Sequence, residues 1–215
     1  MNAATRVLLL ALLLPAPTAA QGFLDEFSYE GLRLAGVGFE LGGVASNRLT
    51  SELTGAFRVD GGMFAPRVRV VVGLGYFKGR LNADEVRTFE ERIADLVYDP
   101  NGGFEVLVGD IAWADWFANL DFQYLPVVQG RFRPYVGLGF GVHLRDGSGA
   151  AISGTFVEDA LDTIDAGIDV TAGLEVSLTE NLALTTDLRA GLSGELRTAV
   201  ARGGFMVRFP QGGGS

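Results

Sequence analysis

Few residue types in this 215-residue chain could do chemistry. There is one histidine, His143, and no cysteine. A catalytic histidine needs a hydroxyl or thiol within hydrogen-bond reach and an acid to orient it. The same-face neighbour two residues on is Arg145, and Ser148 follows only in the next loop. Asp99-Pro100-Asn101-Gly102-Gly103 has oxygen ligands and turn chemistry, but lacks the later spacing and terminal Glu of a calcium loop, so it reads as a turn. No cofactor or metal ion is called for. What recurs is arginine and carboxylate at alternating positions: Glu40, Arg58, Asp60, Arg69, Asp115, Asp121, Arg133, Arg145, Asp169, Glu175, Asp187, Arg189, Arg202 and Arg208, with His143 among them. Acids and arginines balance seven to seven in that set. Each guanidinium has five donors in a fork that suits carboxylates, so the set can satisfy itself if the fold gathers it in one place.

The elements that would gather it are strands. Side chains along a strand point to alternate faces, and this chain alternates repeatedly. Ala35, Val37, Phe39 and Leu41 oppose Gly36, Gly38, Glu40 and Gly42; Phe57, Val59 and Met63 oppose Arg58, Asp60 and Gly62. Val68, Val70, Val72, Leu74 and Tyr76 oppose Arg69, Val71, Gly73, Gly75 and Phe77, and Trp116, Leu120 and Tyr124 oppose Asp115, Asp121 and Gln123. The pattern continues from Phe132 to Arg145, from Asp165 to Leu178, from Leu182 to Gly191 and from Leu196 to Phe209, making eight strands. Most exceed the roughly 9–11 residues with which a tilted strand crosses a hydrocarbon layer. After the N-terminal segment no apolar run reaches the roughly 18–20 residues of a transmembrane helix, yet the mean hydropathy is +0.26 at a net charge of −9. An arginine or lysine at the bilayer midplane on a lipid face costs about 2–4 kcal/mol. The charges are therefore expected inward and the Val, Leu and Phe outward, the reverse of a soluble protein.

Three tetrads, Gly36-Val37-Gly38-Phe39, Gly73-Leu74-Gly75-Tyr76 and Gly137-Leu138-Gly139-Phe140, share one phase, glycine inward and aromatic outward. None completes a phosphate-binding G-x-G-x-x-G or opens a helix, so close packing in the interior is the reading. Short connections (Ala65-Pro66, Val127 to Gly130, Glu180-Asn181) alternate with long ones (Val44 to Thr54, Arg80 to Ala112, Asp146 to Ile164), Gly191 to Glu195 being short on the long side. The second long loop predicts a helix from Ala83 to Val97, capped by Asn82, with Val86, Phe89, Ile93 and Leu96 on one face. A further helix is expected near Phe156 to Ile164. Tyr76 and Trp116 fall near one rim, and Tyr124, Phe132 and Phe209 near the other, as in two aromatic girdles.

Both ends fit export to a membrane. Arg6 and the short apolar run Val7 to Leu14, followed by Thr18-Ala19-Ala20, predict a signal peptide over 1–20. Residues 21–30 are then a periplasmic lead, 31–209 the barrel and 210–215 a short flexible tail. Removing 1–20 takes away one Arg and no acid, leaving the mature chain one unit more negative; such a chain repels nucleic acid, and no nucleic-acid partner is expected. Near the C-terminus, Arg202, Gly204, Val207 and Phe209 occur in the order polar, Gly, hydrophobic, aromatic. That run resembles the C-terminal β-signal of bacterial outer-membrane barrels, although six residues follow Phe209 where such proteins usually stop.

Strand count, phase, loop asymmetry and this terminal run together resemble the small eight-stranded outer-membrane barrels: the OmpA-like transmembrane domain and its OmpX- and OmpW-type relatives. The resemblance implies an all-β, eight-stranded antiparallel up-and-down transmembrane β-barrel with short helices in the extracellular loops, located in the bacterial outer membrane. Implied partners are outer-membrane lipid, the barrel-insertion machinery, periplasmic chaperones and an unidentified extracellular ligand. An eight-stranded interior is just filled by side chains. The expected function is accordingly a barrel with a charge-networked, largely plugged lumen that acts structurally or presents its loops. A small channel for polar solutes is the alternative. Some barrels of this size modify lipid A through a close His-x-Ser arrangement, but position 145 is Arg, so no enzyme is expected. A soluble lipocalin-type barrel would need the opposite phase. Leu174→Arg, on the expected lipid face, should lower the yield of assembled barrel more than Ser177→Arg, facing in. Equal losses on a heat-modifiability gel would overturn the phase.

Overall fold

A computed structural model describes residues 31–50, 52–96, 107–155, 158 and 161–210. Eight strands run β1 Leu32–Ser46, β2 Glu52–Ala65, β3 Val68–Arg80, β4 Ala112–Tyr124, β5 Phe132–Ser148, β6 Thr163–Ser177, β7 Leu182–Ser193 and β8 Leu196–Arg208, and the helix α1 Ala83–Leu96 lies between β3 and β4. Every neighbour in the chain is a neighbour in the sheet, and β1 pairs antiparallel with β8 to close it. The strands are 12 to 17 residues long, enough to cross a membrane at a tilt. No helix among the described residues is long and apolar enough to cross one.

Alternation sets the two faces as the charge argument demands. Leu138, Phe140, Val142 and Leu144 on β5 are about half exposed on the outside, and so are Ile168, Val170, Leu188, Phe205 and Val207 on β6 to β8. Arg58, Arg69, Asp121, Glu175, Asp187 and Arg202 are buried inside. Tyr76 stacks against Trp116 towards the outer rim, ring centroids 4.6 Å apart, while Tyr124 and Phe132 lie at the opposite ends of β4 and β5.

The expected phase fails at one position. The register between β2 and β3 shifts between Asp60 and Met63, and Gly62 adopts φ +82° within that bulge. Met63 consequently pairs with the inward Arg69 instead of facing out with Val59. Phe64 takes the outward place and packs edge-on against Phe122 at 6.0 Å. A one-residue bulge is invisible to a strict period of two.

The outer connections are shorter than expected because the strands continue past the bilayer: residues 47–51, 81–111, 149–162 and 194–195. Within the second, α1 starts where Asn82 Oδ1 accepts the Glu85 N–H at 2.9 Å, the expected cap. Val86, Phe89 and Ile93 pack on Val108, Ile111 and Ile152, drawing the β3–β4 and β5–β6 loops into one apolar cluster. Glu158 and Leu161 are helical, but β6 already begins at Thr163, so the helix expected near 156–164 stops short of its expected end; residues 156, 157, 159 and 160 lie outside the described residues. The segment 1–30, the Asp99–Gly103 turn and residues 211–215 also lie outside the described residues.

At Gly204 and Gly42 the closing seam leaves no room for a side chain. A Cβ on Gly204 would stand 1.9 Å from the Phe39 carbonyl oxygen, and one on Gly42 1.9 Å from that of Ala201. Gly203, facing lipid beside them, has only the Thr185 carbonyl at 3.7 Å. Gly204→Val should therefore leave β1 and β8 unzipped and abolish the heat-modifiable folded band, whereas Gly203→Val should preserve it.

Candidate functional site

Among the described residues, the lumen is the one place where chemistry-bearing side chains converge, and it is built in tiers along the barrel axis. At the periplasmic end Glu175, fully buried on β6, meets three guanidinium groups. Arg133 Nη2 and Arg208 Nη2 each lie 2.8 Å from its Oε2, and Arg69 pairs with its Oε1. Arg69 also reaches Asp60 at 3.3 Å and donates to Gln123 Oε1 at 2.8 and 2.9 Å. Arg208 donates its other arm to Ser177 at 2.8 Å.

One tier up, Arg58 from β2 pairs with Glu40 of β1 at 2.6 Å and donates to the Tyr135 hydroxyl at 3.2 Å. That hydroxyl in turn donates to Asp187 at 3.0 Å. Asp187 also receives Arg202 at 3.1 Å and the Thr171 hydroxyl at 2.7 Å. The Tyr135 ring stands beneath two cations, Arg58 at 5.6 Å and Arg69 at 5.2 Å from its centroid, so it joins the two tiers. It fits because position 173 is glycine: a Cβ there would lie 2.4 Å from the Tyr135 hydroxyl.

In the third tier Arg189 clamps Asp121 at 2.5 Å and Asp169 at 2.7 Å. Both carboxylates press on Gly139, where a Cβ would come within 2.4 and 2.5 Å of them. Of the repeated inward glycines, Gly139 is thus the socket for an ion pair, whereas Gly36 and Gly38 make room for Met206, Gly73 for Asn119 and Gly75 for Phe117.

Towards the outer end Asp115 takes Arg145 at 3.0 Å and His143 Nδ1 at 3.1 Å, and Arg145 continues to Asp165 at 2.6 Å. Arg145 also lies over the Trp113 ring at 5.3 Å. The other half of this level is apolar, with Val44, Leu49, Phe77 and Leu196 forming a plug.

Every sequence-predicted lumen residue is drawn into this framework. Tyr135 and Asp165 escaped the sequence reading although both share parity with residues in the set, and Ser193 was missed at the end of β7. The buried Ser193 hydroxyl shares a small cavity with His143, but no hydrogen bond links them, and the charge of Asp115 is divided between His143 and Arg145. That is not the relay a nucleophilic serine requires. In the terminal run, Arg202 is spent on Asp187, Gly204 is the seam glycine, Val207 faces out and the Phe209 N–H donates to the Ala35 carbonyl at 2.8 Å.

A closed eight-stranded barrel with paired charges inside and an apolar band outside is a small transmembrane β-barrel of the outer-membrane class. No protein-family model and no curated protein matches the chain. Among solved structures it is similar to Neisserial surface protein A, with 12% identity over 83% of this chain and 99% of that one and a TM-score of 0.54. It is similar also to the outer membrane protein OprG from Pseudomonas aeruginosa, with 14% identity over 86% of this chain and 100% of that one and a TM-score of 0.53. At such identities the likeness carries the fold alone. Barrels of this fold sit in the bacterial outer membrane, and the outward apolar band puts this chain there too.

Glu175→Leu would leave the buried Arg69 and the partly buried Arg133 and Arg208 short of a counter-charge, and should cost about 3–5 kcal/mol, the range for removing one partner of a buried ion pair. Tyr135→Phe should cost about 1–3 kcal/mol, from hydrogen bonds left unmade. Urea unfolding in detergent micelles, followed by tryptophan fluorescence, would check both.

Proposed function

We propose that the protein is a structural and loop-presenting barrel of the outer membrane whose lumen does not conduct. One observation carries this reading: each tier of the interior is occupied by side chains bonded to one another. The upper lumen retains a cavity of only about 40 Å³, lined by His143, Arg145, Asp169 and Arg189 among others. That is room for a few waters and no continuous column of them. The apolar plug and the loop cluster on α1 lie above it. With no nucleophile joined to His143, the reading assigns no catalytic role.

Two consequences belong to the same proposal. The outer loops present Asp84 and Glu91, exposed on one side of α1, to an extracellular ligand steered by charge. The run Arg202, Gly204, Val207 and Phe209 acts as the insertion signal for the assembly machinery, with periplasmic chaperones as earlier partners. The competing reading is a narrow channel for small polar solutes.

The mature barrel refolded into a planar bilayer should be electrically silent, with a heat-modifiability gel showing that it is folded. Steady single-channel conductance would instead mean that the arginine–carboxylate tiers part to leave a path.

A further inference from the structure

The charge balance that holds for the lumen as a whole fails at its periplasmic mouth. A cavity of about 830 Å³ opens there between the ends of β1, β2, β3, β5 and β8. Five arginines line it: Arg33, Arg67, Arg69, Arg133 and Arg208. Among the described residues, the carboxylates that answer them are two, Asp60 in the wall and Glu175 behind it. Glu175 is shared three ways, and Arg133 and Arg208 use the same oxygen. Arg133 Nε is buried with no hydrogen-bond partner. Arg33 and Arg67 have no carboxylate within ion-pair distance among the described residues.

The backbone points the same way. Arg67 follows Pro66 in the β2–β3 turn with φ +67°, the one non-glycine residue in the left-handed region among the described residues. That position in a turn after proline ordinarily takes glycine or asparagine. A guanidinium is held at the rim of a cation-rich cavity where glycine would be less strained. Surplus cations, a buried donor without a partner and a strained arginine all face one space, in a chain whose net charge is −9.

We infer that the periplasmic mouth is a binding site for a phosphate-class oxyanion, which its arginine fork donors would hold through charge-assisted hydrogen bonds. Both a soluble periplasmic phosphate ester and the phosphate of an inner-leaflet lipid headgroup have this chemistry. The site stands whether or not the lumen conducts.

Inorganic pyrophosphate titrated calorimetrically into the refolded barrel in maltoside micelles should bind saturably. Arg33→Gln with Arg67→Gln, both at the rim and outside the ion-pair tiers, should weaken it about tenfold, the order expected for one lost contact to a charged group. The heat-modifiable band should be unchanged in that variant. Repeating the titration in phosphatidylcholine nanodiscs with and without phosphatidylglycerol separates the sources. A weaker apparent affinity with phosphatidylglycerol shows the lipid headgroup competing for the site; an unchanged affinity leaves the soluble anion as its ligand. A second variant, Asp25→Asn with Glu26→Gln and Glu30→Gln, removes the acids that precede Gly31 in sequence, and binding that appears only in this variant supports the site with those acids as competitors. No saturable binding in either wild type or this variant, or the same affinity in Arg33→Gln with Arg67→Gln, would overturn the inference.

Discussion

Every backbone donor and acceptor within hydrocarbon must find its partner inside the protein, since lipid offers none. For strands this condition is met only when the last pairs with the first. The β1–β8 ladder is continuous from Gly36 and Arg208 to Ser46 and Thr198, and the rest of the structure depends on it. Closure makes an inside, and the inside is what permits a chain to carry Arg58, Arg69, Arg189 and Arg202 through a membrane. It also explains the seam glycines, for the two strands approach so closely at Gly42 and Gly204 that a methyl group would collide with the opposite carbonyl.

Within the closed wall, charge and size are solved together. A barrel of eight strands has little interior volume, and large guanidinium groups meet carboxylates across it only where the wall has no side chain of its own. Gly139 and Gly173 supply such places, one beneath the Asp121–Arg189–Asp169 clamp and the other beneath Tyr135. Buried ion pairs of this kind are poor evidence of stability in themselves, because desolvation offsets much of the attraction. Their effect is on specificity: each arginine reaches a strand other than its own, so a slip of register would strand several charges at once. Tyr135 ties the tiers together, accepting from Arg58 and donating to Asp187.

Much of this was legible in the residues. Parity alone separated the lumen set from the lipid face, because the cost of a charge in lipid leaves no other solution for Asp121, Asp187 or Arg189. Asn82 announced the start of α1. The misses have physical causes. Tyr135 is an aromatic in a barrel whose Tyr76 and Tyr124 sit at the lipid rims, so its type did not separate core from girdle. Asp165 stands at the edge of what read as loop, since strands here run beyond the bilayer. Met63 lies past a bulge that resets the alternation.

By itself the sequence determined the secondary structure, the strand count, the face on which each charge lies and hence the solvent of each face, because these follow from a period of two and the energy of an ion in hydrocarbon. It did not determine the partners. That Glu175 serves three arginines, that Asp187 collects Arg202, Thr171 and Tyr135, and that surplus cations gather at one mouth depend on which residues stand at the same height on strands far apart in the chain. Tilt, stagger and bulges set those heights. They are properties of the closed sheet, and no single strand contains them.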